Sequence, residues 1–172
     1  MDRFFELRPA TESDFPEIKA LIRQVRINPT RLDWRHFTVA VSGPALPAPV
    51  PPWPDRQDRQ AQVSEVEGGG LIGCAQLKPV PPGLTELASL AVRPAYRHQW
   101  VARALIERLL ADSPRPLYLT CRSGLGELYL KFGFQVVEAE DMPRYYRRLQ
   151  RLADTLLGLT RRDETLLVMK LG

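Results

Sequence analysis

A basic turn between an apolar run and a helical run carries the most informative chemistry in this sequence. Leu87–Val92 is apolar and stops before Pro94, and the basic run Arg97–Ala102 leads directly into apolar residues at helical spacing. A helix that begins here presents free backbone N–H groups and the positive end of its dipole, and both favour a phosphate. Arg97 and Arg103 add positive charge beside that end. The sequence therefore predicts a phosphate-binding turn between a strand and a helix.

Tyr129, a candidate general acid, lies downstream of this turn. Leu117–Cys121 has the short apolar pattern of a buried strand. It is followed by Leu-Tyr-x-Lys-x-Gly-Phe at residues 128–134, which contains Tyr129. Gly133 is the expected C-cap of this helix, because glycine adopts a positive φ at little cost. The pattern predicts a strand, a short helix with Tyr129 and a further strand.

Together the two segments resemble the core of the GNAT superfamily of N-acetyltransferases. Val92-Arg93-Pro94 and Arg97-His98-Gln99-Trp100-Val101-Ala102 are similar to its acyl-coenzyme A signature, Val-x-Pro followed by Arg/Gln-x-x-Gly-x-Gly/Ala. The tyrosine segment at 128–134 resembles the other half of that core. The resemblance implies an enzyme that uses acetyl-CoA as cosubstrate and moves an acetyl group to a primary amine. It does not identify the amine, which could belong to a small molecule or to a protein.

One position departs from the signature, because Trp100 stands where the family has its first glycine. Glycine there permits a positive φ or a close approach of phosphate to the backbone. An indole removes that freedom unless its side chain points outward, whereas the main-chain donors survive any side chain. We therefore expect weakened but retained cofactor binding. The departure leaves open an alternative function, a non-catalytic acyl-CoA sensor or interaction module with the same fold.

The resemblance also assigns roles to individual residues. Acyl transfer from a thioester to an amine needs a base for the amine and an acid for the leaving sulfur. Tyr129 is the expected acid, since the family tyrosine protonates the thiolate; the alternative is a core tyrosine. Glu86 is the expected base, acting directly or through water; the alternative is a solvated surface carboxylate. The expected cofactor-binding residues are Leu90, Ala91, Val92, Arg97, His98, Gln99, Trp100, Val101, Ala102 and Arg103.

The surrounding patterns predict an α/β fold, a twisted mixed sheet flanked by helices on both faces. Period-two alternation, without a bulge, would place Glu86, Ala88, Leu90 and Val92 on one face of their strand. Near the N-terminus, Thr11 is the expected helix cap with Asp14 at its capping-box position, and the helix should reach about Arg26. The strands are expected at 4–8, 37–41, 71–77, 85–92, 117–121, 134–138 and 164–171, and two further helices at 100–111 and about 144–157.

A chain of 172 residues fits a single domain. We expect that domain over 1–172, with a Pro-rich insertion at 44–67 and an Arg-rich helical insertion at 139–163. Four arginines of the second insertion recur at helical spacing. They form either a solvated face or a lip for an acidic substrate or a nucleotide phosphate. The arginines are Arg144, Arg147, Arg148 and Arg151.

Composition excludes several classes of protein. Hydrophobic residues make up 44% and charged residues 26% of the chain, and no apolar run reaches the roughly 20 residues of a membrane span. The N-terminus lacks a secretory signal, and Cys74 and Cys121 read as buried free thiols, so we expect a cytoplasmic protein without a metal site. A net charge of +4 is modest and does not favour nucleic acid, although the arginine and proline segments leave partner binding as a second alternative. Monomer and homodimer both stay open.

Overall fold

The computed structural model describes residues 4–43, 70–157 and 165–172. The predicted Pro-rich insertion at 44–67 lies outside the described residues. The strands are β1 (Phe5–Pro9), β2 (Phe37–Ser42), β3 (Leu71–Val80), β4 (Leu84–Val92), β5 (Leu117–Arg122), β6 (Gln135–Val136) and β7 (Leu166–Leu171). The α-helices are α1 (Phe15–Gln24), α2 (Val101–Asp112), α3 (Gly126–Leu130) and α4 (Arg144–Leu157).

The strands form a mixed sheet in the order β1-β2-β3-β4-β5-β7-β6. β4 and β5 run parallel, with Thr85–Leu87 in register with Leu117–Leu119. The pairs β1–β2, β2–β3, β5–β7 and β6–β7 are antiparallel. This architecture confirms the predicted α/β class with a mixed sheet.

The chain divides into two compact units. The first unit comprises residues 1–76 and 89–111, and the second comprises 77–88 and 112–172. β3 and β4 each contribute residues to both units, so the expected site residues are divided between them. Leu90–Arg103 belong to the first unit, whereas Glu86 and Tyr129 belong to the second.

Helices cover both faces of the sheet within the first unit. Ile18, Leu21 and Ile22 of α1 share a buried cluster with Cys74 of β3. Gly73 precedes Cys74, and successive strand residues point to opposite faces. A Cβ on Gly73 would lie 3.0 Å from Val101 Cγ1 and 3.2 Å from Leu105 Cδ1, so its missing side chain admits α2 close to β3.

The capping box predicted before the first helix is present. The Thr11 N–H donates a hydrogen bond of 2.7 Å to Asp14 Oδ2, and Arg8 Nη1 lies 2.7 Å from the same oxygen. The hydrogen bond from Arg8 is the main cause that holds the pKa of Asp14 far below its usual range. The regular helix ends at Gln24 rather than Arg26, because Arg26 adopts a left-handed φ of 57°.

In the second unit, α4 packs through Tyr146, an aromatic residue within its run of arginines. Tyr146 is fully buried in a cluster with Val80, Tyr118, Met142 and Val168. The predicted arginine face is solvated at three of its four positions, namely Arg144, Arg148 and Arg151. Arg147 is half-buried and donates to the Met142 carbonyl at 3.0 Å. In the part of the chain that the structure describes, no helix is long and apolar enough to cross a membrane.

Candidate active site

β4 leaves the extended conformation at Ser89, between Glu86 and the expected cofactor-binding residues. Ser89 has a left-handed φ of 56°, and Gln76 Nε2 donates a hydrogen bond of 2.9 Å to its hydroxyl. A left-handed residue rotates the following chain, so side chains no longer alternate in phase across it. Ser89 therefore breaks the unbroken alternation on which the expected common face of Glu86, Ala88, Leu90 and Val92 depended. The sequence does not indicate this conformation, because serine rarely adopts such a φ.

The turn before α2 contains two left-handed residues, His98 with a φ of 62° and Trp100 with a φ of 67°. The Trp100 carbonyl accepts a 2.9 Å bond from the Ala104 N–H, so the helix begins immediately after it. The indole is 70% exposed, and the Arg103 guanidinium lies 5.7 Å from its ring centre. Trp100 therefore adopts the backbone conformation that glycine would have supplied and directs its side chain outward.

The other expected cofactor-binding residues of the first unit differ in exposure. Val101 is buried against Gly73, so its side chain serves packing. The first N–H groups of α2 have no acceptor within the helix and stand beside Arg97 and Arg103. Arg97, His98, Trp100 and Arg103 are exposed; Leu90, Val92, Gln99 and Ala102 are half-buried; Ala91 and Val101 are buried.

Glu86 lies in the interior of the second unit, with 2% of its surface exposed. Its Oε1 accepts a hydrogen bond of 2.9 Å from Thr120 Oγ1. Its Oε2 lies 3.3 Å from Lys78 Nζ, at an angle outside hydrogen-bond geometry. The alternative of a solvated surface carboxylate is therefore wrong. Thr120 thus fixes one oxygen of the buried carboxylate, and the other lies beside a cation.

Two further aromatic residues belong to the surroundings of Glu86. Tyr118 is in register with Glu86 on the neighbouring strand, and its ring stacks on that of Tyr146 at 5.1 Å. Burial raises the pKa of the Tyr146 phenol far above its usual range, and the charge of Glu86 raises it further. Tyr146 therefore keeps its proton across the physiological range.

Tyr129 is buried in α3, in a different set of contacts of the second unit. Its ring meets that of Phe134 edge-on, with 6.1 Å between the ring centres. Burial raises the pKa of its phenol, and the neighbouring Cys121 raises it further. α3 ends at Leu130 with Lys131 as its C-cap, so the predicted cap Gly133 lies two residues further on, where it adopts the left-handed φ of 86° expected of a glycine. Tyr129 is thus a protonated phenol at neutral pH.

Sequence reasoning missed five residues of these surroundings. Thr120 could have been found, because it follows the register partner of Glu86 by two residues on the same strand face. Tyr146 was hidden within a run of arginines that suggested only a charged surface. Lys78, Gln76 and Ser89 carry no local pattern, and only the pairing of strands brings them to their contacts.

Comparisons with known proteins give a family match over part of the chain and a shared fold over nearly all of it. Residues 58–136 match a family model described as an acetyltransferase (GNAT) domain. No curated protein sequence matches the chain. Several solved structures share its fold.

N-acetylglutamate synthase from Neisseria gonorrhoeae, in complex with coenzyme A and N-acetyl-glutamate, is 22% identical with a TM-score of 0.63. The match covers 100% of this chain but only 36% of the synthase. Rv2747 from Mycobacterium tuberculosis, in complex with CoA, is 18% identical with a TM-score of 0.61, covering 97% and 99% of the two chains. A GNAT-family acetyltransferase from Bacillus cereus is 12% identical with a TM-score of 0.58, covering 97% and 96%. At these identities the likeness establishes the fold.

Proposed function

This chain carries a GNAT acetyltransferase domain, and from that premise we propose that it transfers the acetyl group of acetyl-CoA to a primary amine by direct attack. The observation that carries the proposal is the pair of left-handed residues before α2, with an exposed indole at Trp100. The backbone thereby accommodates Trp100 at the position where the family signature has glycine. Neighbours crystallised with coenzyme A add support.

The cofactor segment runs from Leu90 to Arg103. The N–H groups of Val101, Ala102 and Arg103 bind the pyrophosphate, since the start of α2 offers both donors and a favourable dipole. Arg97 and Arg103 supply positive charge, and His98 and Gln99 line the same turn. The backbone of Leu90–Val92 holds the pantetheine amides and the thioester oxygen. Acetyl-CoA itself supplies the activated acyl group.

Glu86 is the proposed base. Its carboxylate is buried, accepts a hydrogen bond from Thr120 and has Lys78 Nζ 3.3 Å from its other oxygen. The carboxylate takes a proton from the substrate ammonium, directly or through water, and the lone pair of the free amine then bonds to the thioester carbon. The carbon–sulfur bond then breaks and leaves coenzyme A as a thiolate.

Tyr129 is the proposed acid for that thiolate. Burial keeps the phenol protonated, so the proton is available throughout the neutral range. The raised pKa also makes the phenol a weaker acid than an exposed tyrosine. A strong hydrogen bond to the sulfur therefore accounts for part of its effect, with proton transfer completed as the thiol leaves.

The acceptor is a small-molecule amine or a protein amine. Amino acids are among the first acceptors to test, because the N-acetylglutamate synthase with a similar fold was crystallised with N-acetyl-glutamate. The test measures thiol release from acetyl-CoA with amino acids, polyamines, aminoglycosides and peptides bearing free N-termini or lysines. Amine-dependent release supports the proposal. Coenzyme A binding without transfer to any acceptor would instead indicate the sensor.

A further inference from the structure

Two buried oxygen atoms of the second unit have no hydrogen-bond partner among the described residues. They are Glu86 Oε2 and the Tyr146 hydroxyl oxygen. Glu86 is 2% exposed and Tyr146 is fully buried. A buried polar atom without a partner loses its hydrogen bonds to solvent and gains none in return, so such atoms in folded proteins usually have a protein group or an ordered water as partner.

The fold brings these two side chains to the same face of the sheet. Glu86 and Tyr118 are register partners on parallel strands, and register partners extend from the same face. Tyr118 stacks on Tyr146 with an interplanar angle of 25°, which places the α4 residue over that face. Thr120, two residues beyond Tyr118, reaches Glu86 Oε1 from the same strand. Glu86 Oε2 is thus the carboxylate oxygen that β5 does not satisfy.

Three elements bring ionisable groups near Glu86. Lys78 of β3 lies 3.3 Å from its Oε2, Tyr118 of β5 is its register partner, and Tyr146 of α4 is close enough for the charge of Glu86 to raise the pKa of its phenol; Tyr145 contacts the ring of Tyr146. Lys170 of β7, in register with Tyr118, is exposed. Lys78 Nζ approaches Oε2 to 3.3 Å without hydrogen-bond geometry, so it supplies charge but no hydrogen bond to that oxygen.

We propose that Tyr146 is a positioning residue for Glu86, and that the Tyr146 hydroxyl and Glu86 Oε2 together hold one bound water. A phenol donates to the water, the water donates to the carboxylate, and both orphaned oxygens are satisfied. A site with polar partners on two or three sides suits a water, and Lys78 Nζ provides a third. The functional part of this inference rests on the proposed role of Glu86 as base. In that role of Glu86, the water held by Tyr146 would fix the carboxylate in one orientation.

The test observes the Glu86 carboxyl group itself, in the full chain and without acetyl-CoA. The protein is labelled with glutamate carrying ¹³C in the side-chain carboxyl, and the Glu86 resonance is assigned by its loss in Glu86→Gln. Thr120→Val removes a visible hydrogen bond to Oε1 and calibrates the shift that such a loss causes. Tyr146→Phe keeps the ring and its stacking but removes the hydroxyl, and Tyr145→Phe is the matched control on the same helix.

The Glu86 resonance should move in Tyr146→Phe by an amount similar to that in Thr120→Val, and stay in place in Tyr145→Phe. An unmoved resonance in Tyr146→Phe overturns the proposal. A second measurement needs no substitution, because a held water should give a cross-peak to the Tyr146 ring protons in a water-selective NOE experiment. Absence of that cross-peak in the unmodified protein also contradicts it.

Kinetics separate this inference from the proposed function. Tyr146→Phe should lower kcat for acetyl transfer roughly tenfold with KM for acetyl-CoA unchanged, whereas Tyr145→Phe should match the unmodified protein. Suppose that the Glu86 resonance moves in Tyr146→Phe but the unmodified protein transfers no acetyl group. That result would support the water shared by Tyr146 and Glu86 and contradict the proposed acetyltransferase activity. Transfer by the unmodified protein with no carboxyl shift in Tyr146→Phe would sustain the enzyme and reject the pairing.

Discussion

Gln76 Nε2 donates a hydrogen bond of 2.9 Å to Ser89 Oγ at the residue where β4 turns left-handed. Gln76 is fully buried, and β3 carries it next to β4 in the sheet order. A left-handed φ at a residue other than glycine costs about 1–3 kcal/mol and persists only when its surroundings enforce it. The hydrogen bond from the Gln76 amide supports this conformation of Ser89, from which the chain continues into Leu90–Val92.

The first prediction concerns this hydrogen bond. Ser89→Ala leaves the buried Gln76 amide without its acceptor, so the free energy of unfolding should fall by about 1–3 kcal/mol in urea titration. Adding Gln76→Leu removes both polar partners, and the double variant should recover part of that loss. Ser42→Ala is the control, because Ser42 is half-buried and water can replace its bond to Gly70. Additive losses in the double variant would show that the two side chains are not coupled.

A second prediction follows from the conformation of Trp100. Glycine fits a φ of 67° without strain, so Trp100→Gly should bind coenzyme A within about threefold of the unmodified protein or more tightly. Trp100→Ala is the matched control, since it removes the indole but keeps a Cβ at a left-handed residue. Isothermal titration calorimetry gives both affinities. Loss of binding in Trp100→Gly would mean that the indole itself contacts the cofactor.

A third prediction tests the acid. Tyr129→Phe keeps the edge-on contact with Phe134 and removes only the hydroxyl, so KM for acetyl-CoA should change little. Loss of a general acid lowers the rate of such steps by about 10²-fold or more, and kcat should fall accordingly. Tyr96→Phe in the first unit serves as the control. Unchanged turnover in Tyr129→Phe would remove Tyr129 from the acid role.

A fourth prediction concerns alkaline pH. Burial raises the pKa of Cys74 to about 12 and that of Cys121 to about 11, whereas the unfolded thiols ionise near 9.0. The unfolded state therefore loses protons first, and stability present below pH 9 should decline as pH rises through the folded values. Each thiol contributes a slope of about 1.4 kcal/mol per pH unit. Urea titrations between pH 8 and 11 should show a shallower decline in Cys74→Ala, and an identical decline would contradict the assignment.

Local patterns predicted the parts of the fold that depend on neighbouring residues. The cap at Thr11, the left-handed Gly133 and the helix after Trp100 each follow from a few adjacent positions. The role of Glu86 as base stays a prediction from its offset to Val92 in the family resemblance, and its burial was not predicted. The contacts of Glu86 in the interior come from Thr120 and Lys78, which belong to two other strands.

The left-handed conformation of Ser89 shows why other features were not predicted. Its cause is a side chain on another strand, since Gln76 holds the serine from β3. Alternation along one strand cannot report a contact of that kind. The buried face of α4 was missed for a similar reason. Tyr146 is buried against Tyr118 of β5, and the arginines beside it in the sequence do not indicate that contact.

The most direct test compares acetyl transfer by the unmodified protein and by Glu86→Gln, with coenzyme A binding measured on both. The account predicts amine-dependent thiol release from acetyl-CoA that falls by about 10²-fold in Glu86→Gln, while coenzyme A affinity stays within about threefold. Glu86→Asp, which keeps the charge beside Lys78, should retain part of the activity. Full transfer in Glu86→Gln, or binding without transfer by the unmodified protein, would contradict the account.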